Sequence, residues 1–492
     1  MNIRPPKADN PINALRPLVA IQVNSASIAD EGADAVLDNA QRLGSANALY
    51  LVAMSWAPGT GGRQQPGQPL PDHGIQAYDT DWEGGLDVPR DARFYRQSTV
   101  EPPNRTVGYG DDWDLFAEVV PAARARGMAV FAWVAESVKS QRLFMTPGFW
   151  RLLEVDAWGR PTRVPCYRNP GYREWHAQVI EDWAHNAPID AIVFAPERAG
   201  PLNIILESPT DPDDIDVHGP FGGAISCFCE HCMAAGEHRG IDVEKARLGY
   251  RALAEWNAEV ANTPPRDGAF VTFWRLALEH PEVLAWQKLW TDGSEDFMRM
   301  IYGIAKTIRP DLQVGWHIYH NYSFSPFCRA SGDYARYAEF SDFLKVVLYN
   351  ATGGPRLNSW VHRACKSLFA DTTPERIYPV LADMMGLNEA GLSDLPTVGL
   401  SAGYVKNEVR RAVATVAGRC AIDAGIDIDV PNNFGVDDAC RSTPEQVHDA
   451  VRAALRGGAR GVVLSRKYSE MSLDNLAGAG RAIRELSTEG NP

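Results

Sequence analysis

Short apolar runs recur along this chain and alternate with longer amphipathic stretches. The short runs predict buried β-strands, and the amphipathic stretches predict helices. The predicted strands cover residues 18–23, 49–54, 129–134, 189–195, 312–317, 343–349, 424–430 and 461–465. The predicted helices cover about 28–43, 112–126, 172–186, 283–308, 403–417, 444–457 and 473–487. This regular alternation predicts parallel strands joined by helical crossovers.

A ninth apolar run, 377–381, also has the composition of a strand. It follows Thr373-Pro374-Glu375-Arg376, which places a proline at the first position of a helix, so 374–385 is predicted to be helical. Eight strands remain, and eight strand–helix units favour closure into a (β/α)₈ TIM barrel, an α/β fold. We expect one barrel domain over residues 1–492, with insertions in the βα loops at about 57–110, 135–170, 198–270 and 357–400.

Composition and charge exclude several classes of partner. With 62 acidic and 48 basic side chains, the net charge is −14, which disfavours binding to nucleic-acid phosphates. Glycine-rich nucleotide-binding motifs are missing, and no apolar stretch is long enough to span a bilayer or to form a signal peptide. We therefore expect a cytoplasmic protein with neither a nucleic-acid nor a membrane partner. The sequence is compatible with a homo-oligomer without requiring one.

The strongest candidate for chemistry is Glu197, which closely follows the fourth predicted strand. The carboxyl ends of barrel strands line the active site of this fold, so Glu197 is placed to protonate a leaving oxygen as a general acid. Three apolar residues precede it, and such surroundings raise the pKa of a carboxyl group. The structural alternative is a salt bridge between Glu197 and Arg198.

Hydrolysis of a glycosidic bond by this route needs a second carboxyl group. Glu470 lies shortly after strand eight, next to Tyr468, whose hydroxyl could hydrogen-bond it. Asp429 lies at the end of strand seven, across the barrel from strand four, and Asp427 lies two residues deeper. Glu470 and Asp429 rank almost equally as the catalytic partner. Their distances from Glu197 are not readable from sequence, so retention and inversion of the anomeric centre both stay open.

Further polar and aromatic residues collect near the predicted strand ends. Those predicted to bind substrate are Trp133, Glu136, His317, His320, Tyr349, Arg356 and Tyr468. For the two histidines, binding of sugar hydroxyls and purely structural hydrogen bonding are equally open. A metal-dependent hydrolase barrel would usually carry two histidines on strand one, where this chain has Gln22-Val23-Asn24.

The spacing of Cys227, Cys229 and Cys232 is more specific than any single cysteine. Three thiolates so spaced can share one zinc ion, which needs a fourth ligand. Cys166 is the preferred fourth ligand because its loop leaves the same rim of the barrel. Two weaker candidates are Cys328 and His231. The alternative is a group of reduced, packed thiols. A shell of four ligands leaves no open position for catalysis, so the sequence predicts no catalytic cofactor and at most a structural zinc ion.

These segments resemble the glycoside-hydrolase-like (β/α)₈ proteins related to clan A. The resemblance covers most of residues 17–487 and is carried by 190–194, 425–431 and 458–471. The cysteine motif is similar to the zinc cluster of family 42 β-galactosidases. The resemblance implies cleavage of a glycosidic bond in a small carbohydrate or glycoside, with the strand-four Glu as acid/base. Two positions depart from clan A: Pro196 stands where an Asn is usual, and strand seven offers aspartates in place of Glu.

Two other functions are compatible with the same residues. One is a non-catalytic carbohydrate-binding barrel, which would bind sugars without turning them over. The other is a barrel lyase or isomerase acting on a sugar derivative, with His317 as the base and a divalent metal ion.

Overall fold

Eight parallel strands close into a barrel within the part of the chain that the structure describes. The computed structural model describes residues 10–95, 100–106, 108–109, 112–136, 143, 145–207, 225–431 and 441–490. The barrel strands, numbered in chain order, are β1 (Leu18–Val23), β2 (Ala48–Ser55), β3 (Ala129–Ala135), β4 (Ala191–Ala195), β5 (Gln313–Ile318), β6 (Phe343–Val347), β7 (Ala421–Asp427) and β8 (Gly461–Ser465). Each strand pairs in parallel with the next, and β1 pairs with both β8 and β2. The predicted TIM barrel is confirmed.

Helices surround the barrel and occupy its longer connections. The α-helices are Ser25–Glu31, Ala33–Gly44, Pro58–Gly61, Leu115–Ala125, Pro170–Asn186, Pro201–Glu207, Glu230–His238, Val243–Val260, Ala269–Glu279, Glu282–Ile308, Pro326–Ser331, Tyr334–Tyr337, Asn350–Ala364, Pro374–Met385, Leu395–Val398, Ala402–Val416, Pro444–Arg456 and Leu473–Thr488. The 3₁₀ helices are Pro11–Ala14, Phe149–Leu152, His320–Ser323, Ala338–Phe340 and Tyr468–Glu470. Gly85–Leu86 pairs with the end of β2, and Leu153–Val155 forms an antiparallel pair with Pro161–Pro165. The helix predicted at 374–385 is therefore present. Parts of the predicted long loops, at 137–142 and 208–224, lie outside the described residues.

Two of the differences from the predicted element boundaries have a local reason. The helix predicted over 28–43 is two helices, because Gly32 adopts a φ of 80° that an α-helix does not accommodate. Strand β7 ends at Asp427 and does not continue to residue 430. The Asp427 carboxylate accepts hydrogen bonds from the backbone N–H groups of Thr352 (2.7 Å) and Val430 (3.0 Å). These bonds turn the chain out of the sheet, so Asp429 lies beyond the strand.

The core has two layers, and a smaller, separate hydrophobic cluster (the annex) lies around the cysteines. Inside the barrel, the Tyr50 ring stacks on Phe131 with a centroid distance of 4.4 Å, and Phe343 packs edge-on against both. Between barrel and helices lies a second apolar layer, so the strands are buried on both faces. The annex surrounds the cysteines and contains Tyr250 and Trp286. Among the described residues, no helix is both long and apolar enough to cross a membrane.

The closure of the barrel predicts an intolerant glycine at Gly461. A Cβ atom there would lie 2.1 Å from the carbonyl oxygen of Leu18 on β1, so Gly461→Ala forces the two strands apart. We expect the free energy of unfolding to fall by about 1–3 kcal/mol, measured by urea denaturation. Gly303→Ala is the control, because nothing lies within 4 Å of the added Cβ in that exposed helical position. Equal stabilities for the two variants would contradict the tight β1–β8 contact.

Candidate active site

Glu197 pairs with His317 at the carboxyl rim of the barrel. The Glu197 carboxylate, two residues beyond β4, lies 2.8 Å from Nε2 of His317 on β5. The Glu197 side chain is 27% exposed, whereas that of His317 is 5% exposed. Burial and the nearby Lys345 ammonium lower the pKa of His317, which favours the neutral ring. A neutral ring that donates from Nε2 to Glu197 keeps an acceptor at Nδ1, and that buried atom has no hydrogen-bond partner among the described residues.

Lys345 is the functional candidate that sequence reasoning missed. It points into the barrel from β6, is fully buried, and donates from Nζ to Oε1 of Gln22 at 2.7 Å. Burial lowers its pKa to about 7, and Glu197 is the charged group that opposes this shift. The detectable signal was a single lysine inside an otherwise apolar strand, Phe-Leu-Lys-Val-Val.

Aromatic and basic side chains form the walls around this pair. The Trp133 ring stacks on His317 with a centroid distance of 5.9 Å, and Lys345 Nζ lies 5.5 Å from Trp133 and 5.8 Å from Tyr349. The Arg356 guanidinium lies 5.6 Å from the Tyr349 ring. Its Nη1 is 3.2 Å from His320 Nδ1. The structure thus gathers Trp133, His317, His320, Tyr349 and Arg356, all predicted to bind substrate, into one group with Glu197.

The predicted partner carboxyls are each engaged by hydrogen-bond donors. Glu470 is buried and accepts from the Arg466 guanidinium at 3.0 Å and from the backbone N–H groups of Arg466 and Lys467. Asp429 accepts from the backbone N–H of Ser472 and the amide of Asn475, both at 2.8 Å. It therefore helps to hold the start of the helix Leu473–Thr488. Burial raises the pKa of Asp427 to about 6, although its carboxylate also binds two backbone amides.

Two of the predicted substrate-binding residues face other partners. Glu136 is buried and accepts from the hydroxyls of Tyr167 (2.9 Å) and Tyr172 (2.5 Å) and from Arg198. Arg198 is thus the partner of Glu136 and not of Glu197, which answers the structural alternative for Glu197. The Tyr468 hydroxyl accepts from Asn39 at 2.9 Å and donates to Glu31 at 3.2 Å, so it is directed towards the first helices and away from Glu470.

The comparisons with known proteins concern this barrel. By sequence, no family model and no curated protein matches the chain. A solved β-galactosidase from Marinomonas ef1 superposes with a TM-score of 0.52 at 11% identity, covering 96% of this chain and 61% of that one. The β-galactosidase of Halorubrum lacusprofundi gives 0.51 at 12% identity, covering 96% and 58%. The glycoside hydrolase domain of PgaB (BpsB) from Bordetella bronchiseptica gives 0.50 at 13% identity, covering 96% and 98%.

The chain has the barrel fold of glycoside hydrolases. It spans about three fifths of the length of the two β-galactosidases and nearly all of the PgaB domain. At these sequence identities the likeness concerns the fold alone.

Four cysteines cluster beside this glycoside-hydrolase-like barrel. The sulfur atoms of Cys166, Cys227, Cys229 and Cys232 all lie within 4.8 Å of one another, and every one of these residues is buried. The Cys166 sulfur is 3.5 Å from that of Cys232 and 3.6 Å from that of Cys229. A tetrahedral zinc ion with Zn–S bonds of about 2.3 Å separates its sulfur ligands by roughly 3.8 Å, so the donor set fits zinc. Among the described residues, Cys328 and His231 are not part of the cluster.

A buried charge network joins this cluster to the segment that carries Glu197. Arg198 donates to the carbonyl oxygen of Pro165, the neighbour of Cys166, and lies 4.0 Å from Glu154. Glu154 in turn accepts from the Ser226 hydroxyl at 2.5 Å, next to Cys227. The cysteine cluster and the end of β4 are therefore linked through Arg198.

Lys345 predicts a pH dependence of folding stability. Its pKa is about 7 in the folded chain against an ordinary value of 10.5, so between these values only the unfolded chain binds the proton. The cost of the buried charge is fully present below pH 7 and declines as the pH rises towards 10.5. We expect wild type to gain roughly 2–4 kcal/mol relative to Lys345→Met between about pH 7 and 10, measured by urea unfolding. The exposed variant Lys245→Met should show no such divergence, and parallel pH curves for wild type and Lys345→Met would contradict the assignment.

Proposed function

We propose that this barrel hydrolyses a glycosidic bond in a small saccharide or glycoside, with Glu197 as the reacting carboxyl group. The observation that carries this proposal is the partly exposed Glu197 at the end of β4, hydrogen-bonded to a buried His317. The buried rings of Trp133 and Tyr349 pack against His317 and near Lys345, so they form an apolar wall of the site. The glycoside-hydrolase fold supports the same reading without establishing the activity.

Three cationic side chains surround Glu197. Lys345, Arg356 and Arg466 each interact electrostatically with this carboxylate. In the proposed role Glu197 protonates the departing oxygen as a general acid and then, as a base, takes the proton of the attacking water. His317 is a positioning residue that holds the carboxylate by its Nε2–H.

The best candidates for the second catalytic carboxyl group are those that interact with an arginine that also interacts with Glu197. Glu470 binds Arg466, and Asp427 interacts electrostatically with Arg356. Asp429 caps the last helix, and we assign it a structural role. Glu470 and Asp427 are therefore the carboxyls to replace when the second catalytic role is tested.

A recess beside His317 offers room for sugar hydroxyls. It opens between the segments that follow β4 and β5. Hydroxyl and amide side chains line it, namely Asn203, Thr291, Ser294, Tyr319, Tyr322, Ser331 and Tyr337. Polar groups in such a lining can fix the orientation of a ligand through hydrogen bonds.

The test is a panel of 4-nitrophenyl glycosides covering both anomers of common hexoses, pentoses and uronic acids. We expect release of 4-nitrophenol from at least one substrate, with proton NMR showing the anomer formed first. A second candidate, a carbohydrate-binding barrel without turnover, is favoured by the engagement of Glu470, Asp427 and Asp429. Saturable binding in calorimetry, without hydrolysis of any glycoside, would replace the proposed function by that one.

A further inference from the structure

The charged groups around Glu197 are mostly cations. Arg466 is neutralised by Glu470, whose carboxylate lies 3.0 Å from its guanidinium. Lys345 and Arg356 differ: within the described ranges, neither has a carboxylate oxygen within 4 Å. Glu197 acts electrostatically on Lys345, whereas Arg356 interacts at longer range with Asp427 and Glu197. Among the described residues, Lys345 and Arg356 are therefore cationic groups at the mouth of the barrel that lack a close ion pair.

Burying a cation without a close counter-ion is costly, because the surroundings replace water with a less polar medium. The effect is visible in both groups, since burial lowers the pKa of Lys345 and that of Arg356. The chain has a net charge of −14, yet no acidic side chain among the described residues forms a close ion pair with Lys345 or Arg356. An anionic ligand group would remove the cost at the moment of binding.

Arg356 is the group that can reach such an anion. It is half-buried on the helix Asn350–Ala364 and lies between the segments that follow β5 and β6. Its Nη1 faces His320 Nδ1 at 3.2 Å, whereas its buried Nε makes no hydrogen bond to any residue that the structure describes. The planar fork of a guanidinium binds a carboxylate or phosphate through two parallel hydrogen bonds. Lys345 is fully buried inside the barrel and adds to the positive electrostatic potential at the site.

We propose that the ligand of this site is a saccharide bearing an anionic substituent, a carboxylate or a phosphate ester, which pairs with Arg356 while the sugar ring lies beside Glu197. The anion pairing itself is independent of catalysis. Only the statement that this saccharide is the substrate rests on the proposed function. The structural alternative is an arginine that merely ties His320 to Tyr349.

The test compares binding of matched ligands by calorimetry. The ligands are methyl glucuronide and methyl galacturonide, their methyl esters, the neutral methyl glucoside and galactoside, and glucose 6-phosphate. We expect wild type to bind at least one acid or phosphate about tenfold or more tightly than its neutral counterpart, with the preference shrinking as salt rises. Comparing each acid with its methyl ester tests the effect of the carboxylate charge. Comparing the acids with glucose 6-phosphate shows which kind of anion the site binds.

The protein variants separate recognition from a structural role. Arg356→Met should abolish the preference for the charged ligand, and Arg356→Lys should retain part of it, because a lysine keeps the charge but not the fork. Arg481→Met, on an exposed part of the last helix, should leave the preference unchanged. If Arg356→Met does not fold, the acid-to-ester ratio in wild type and in Arg356→Lys still decides the matter.

Equal affinity for acids and esters, no binding of any anionic ligand, or a preference that survives Arg356→Met would each overturn the inference. The readout is separable from the proposed function. Anion-selective binding without hydrolysis would support the anion site and contradict the proposed hydrolytic activity. Hydrolysis of neutral glycosides alone would support the proposed activity and contradict the anion site.

Discussion

Glu197→Gln is expected to lower kcat/KM on any hydrolysed glycoside by about 10³-fold, the middle of the range for a lost acid–base group. A glutamine cannot ionise or carry a proton to the departing oxygen. Its carbonyl oxygen can still accept from His317 Nε2, which lies 2.8 Å from the native carboxylate. The loss should therefore appear in turnover, and the melting temperature should stay close to that of wild type.

Two other glutamates serve as controls for this result. Glu339→Gln alters a glutamate paired with Arg299 far from the rim, and it should keep full turnover. Glu136→Gln removes the charged partner of Arg198 in a buried site, so it should lower the melting temperature whatever it does to turnover. Wild-type turnover in Glu197→Gln would remove Glu197 from the mechanism.

Cys232→Ser is expected to produce the largest loss of stability. The donor set fits one structural zinc ion, and such an ion contributes directly to folding free energy. Purified wild-type chain should contain about one zinc ion per molecule by elemental analysis. Removing one thiolate should abolish zinc retention and cost at least about 3 kcal/mol, seen as a lower melting temperature.

Loss of the zinc ion in Cys232→Ser should also disturb the candidate active site. Arg198 binds the carbonyl oxygen of Pro165 beside Cys166, and it directly follows Glu197 in the chain. Loosening of the cluster should therefore lower glycoside turnover even at temperatures where the barrel is folded. Cys365→Ser, a half-buried cysteine outside the cluster, is the matched control and should change neither zinc content nor turnover. Metal-free wild-type protein with an unchanged melting temperature would show that the four thiols only pack together.

The glycoside-hydrolase-like barrel was predictable because its signals are local. Each strand is a short apolar run and each helix an amphipathic stretch, and these periods are read from neighbouring residues. Parallel strands place all their carboxyl ends at one rim, so the position of Glu197 after β4 followed from the order of elements. The close spacing of Cys227, Cys229 and Cys232 likewise marked a cluster, although Cys166 comes from a distant segment.

The state of each acidic candidate was not predictable, because it depends on donors from remote parts of the chain. Asp427 is held by the N–H of Thr352, and Asp429 by the side chain of Asn475. Glu136 is held by Arg198, 62 residues further along. Sequence position alone marks a carboxyl group near the rim, but it does not show which donors have already engaged it.

Lys345 shows the same division most clearly. The sequence by itself determined that a lysine lies within the sixth strand. Only the closed barrel decided that this lysine points inward, meets Gln22 from a strand 323 residues away, and interacts electrostatically with Glu197. The physical reason is that secondary structure follows from short-range periodicity, whereas the charge and hydrogen-bonding state of a site depends on which distant side chains the fold brings within a few ångströms.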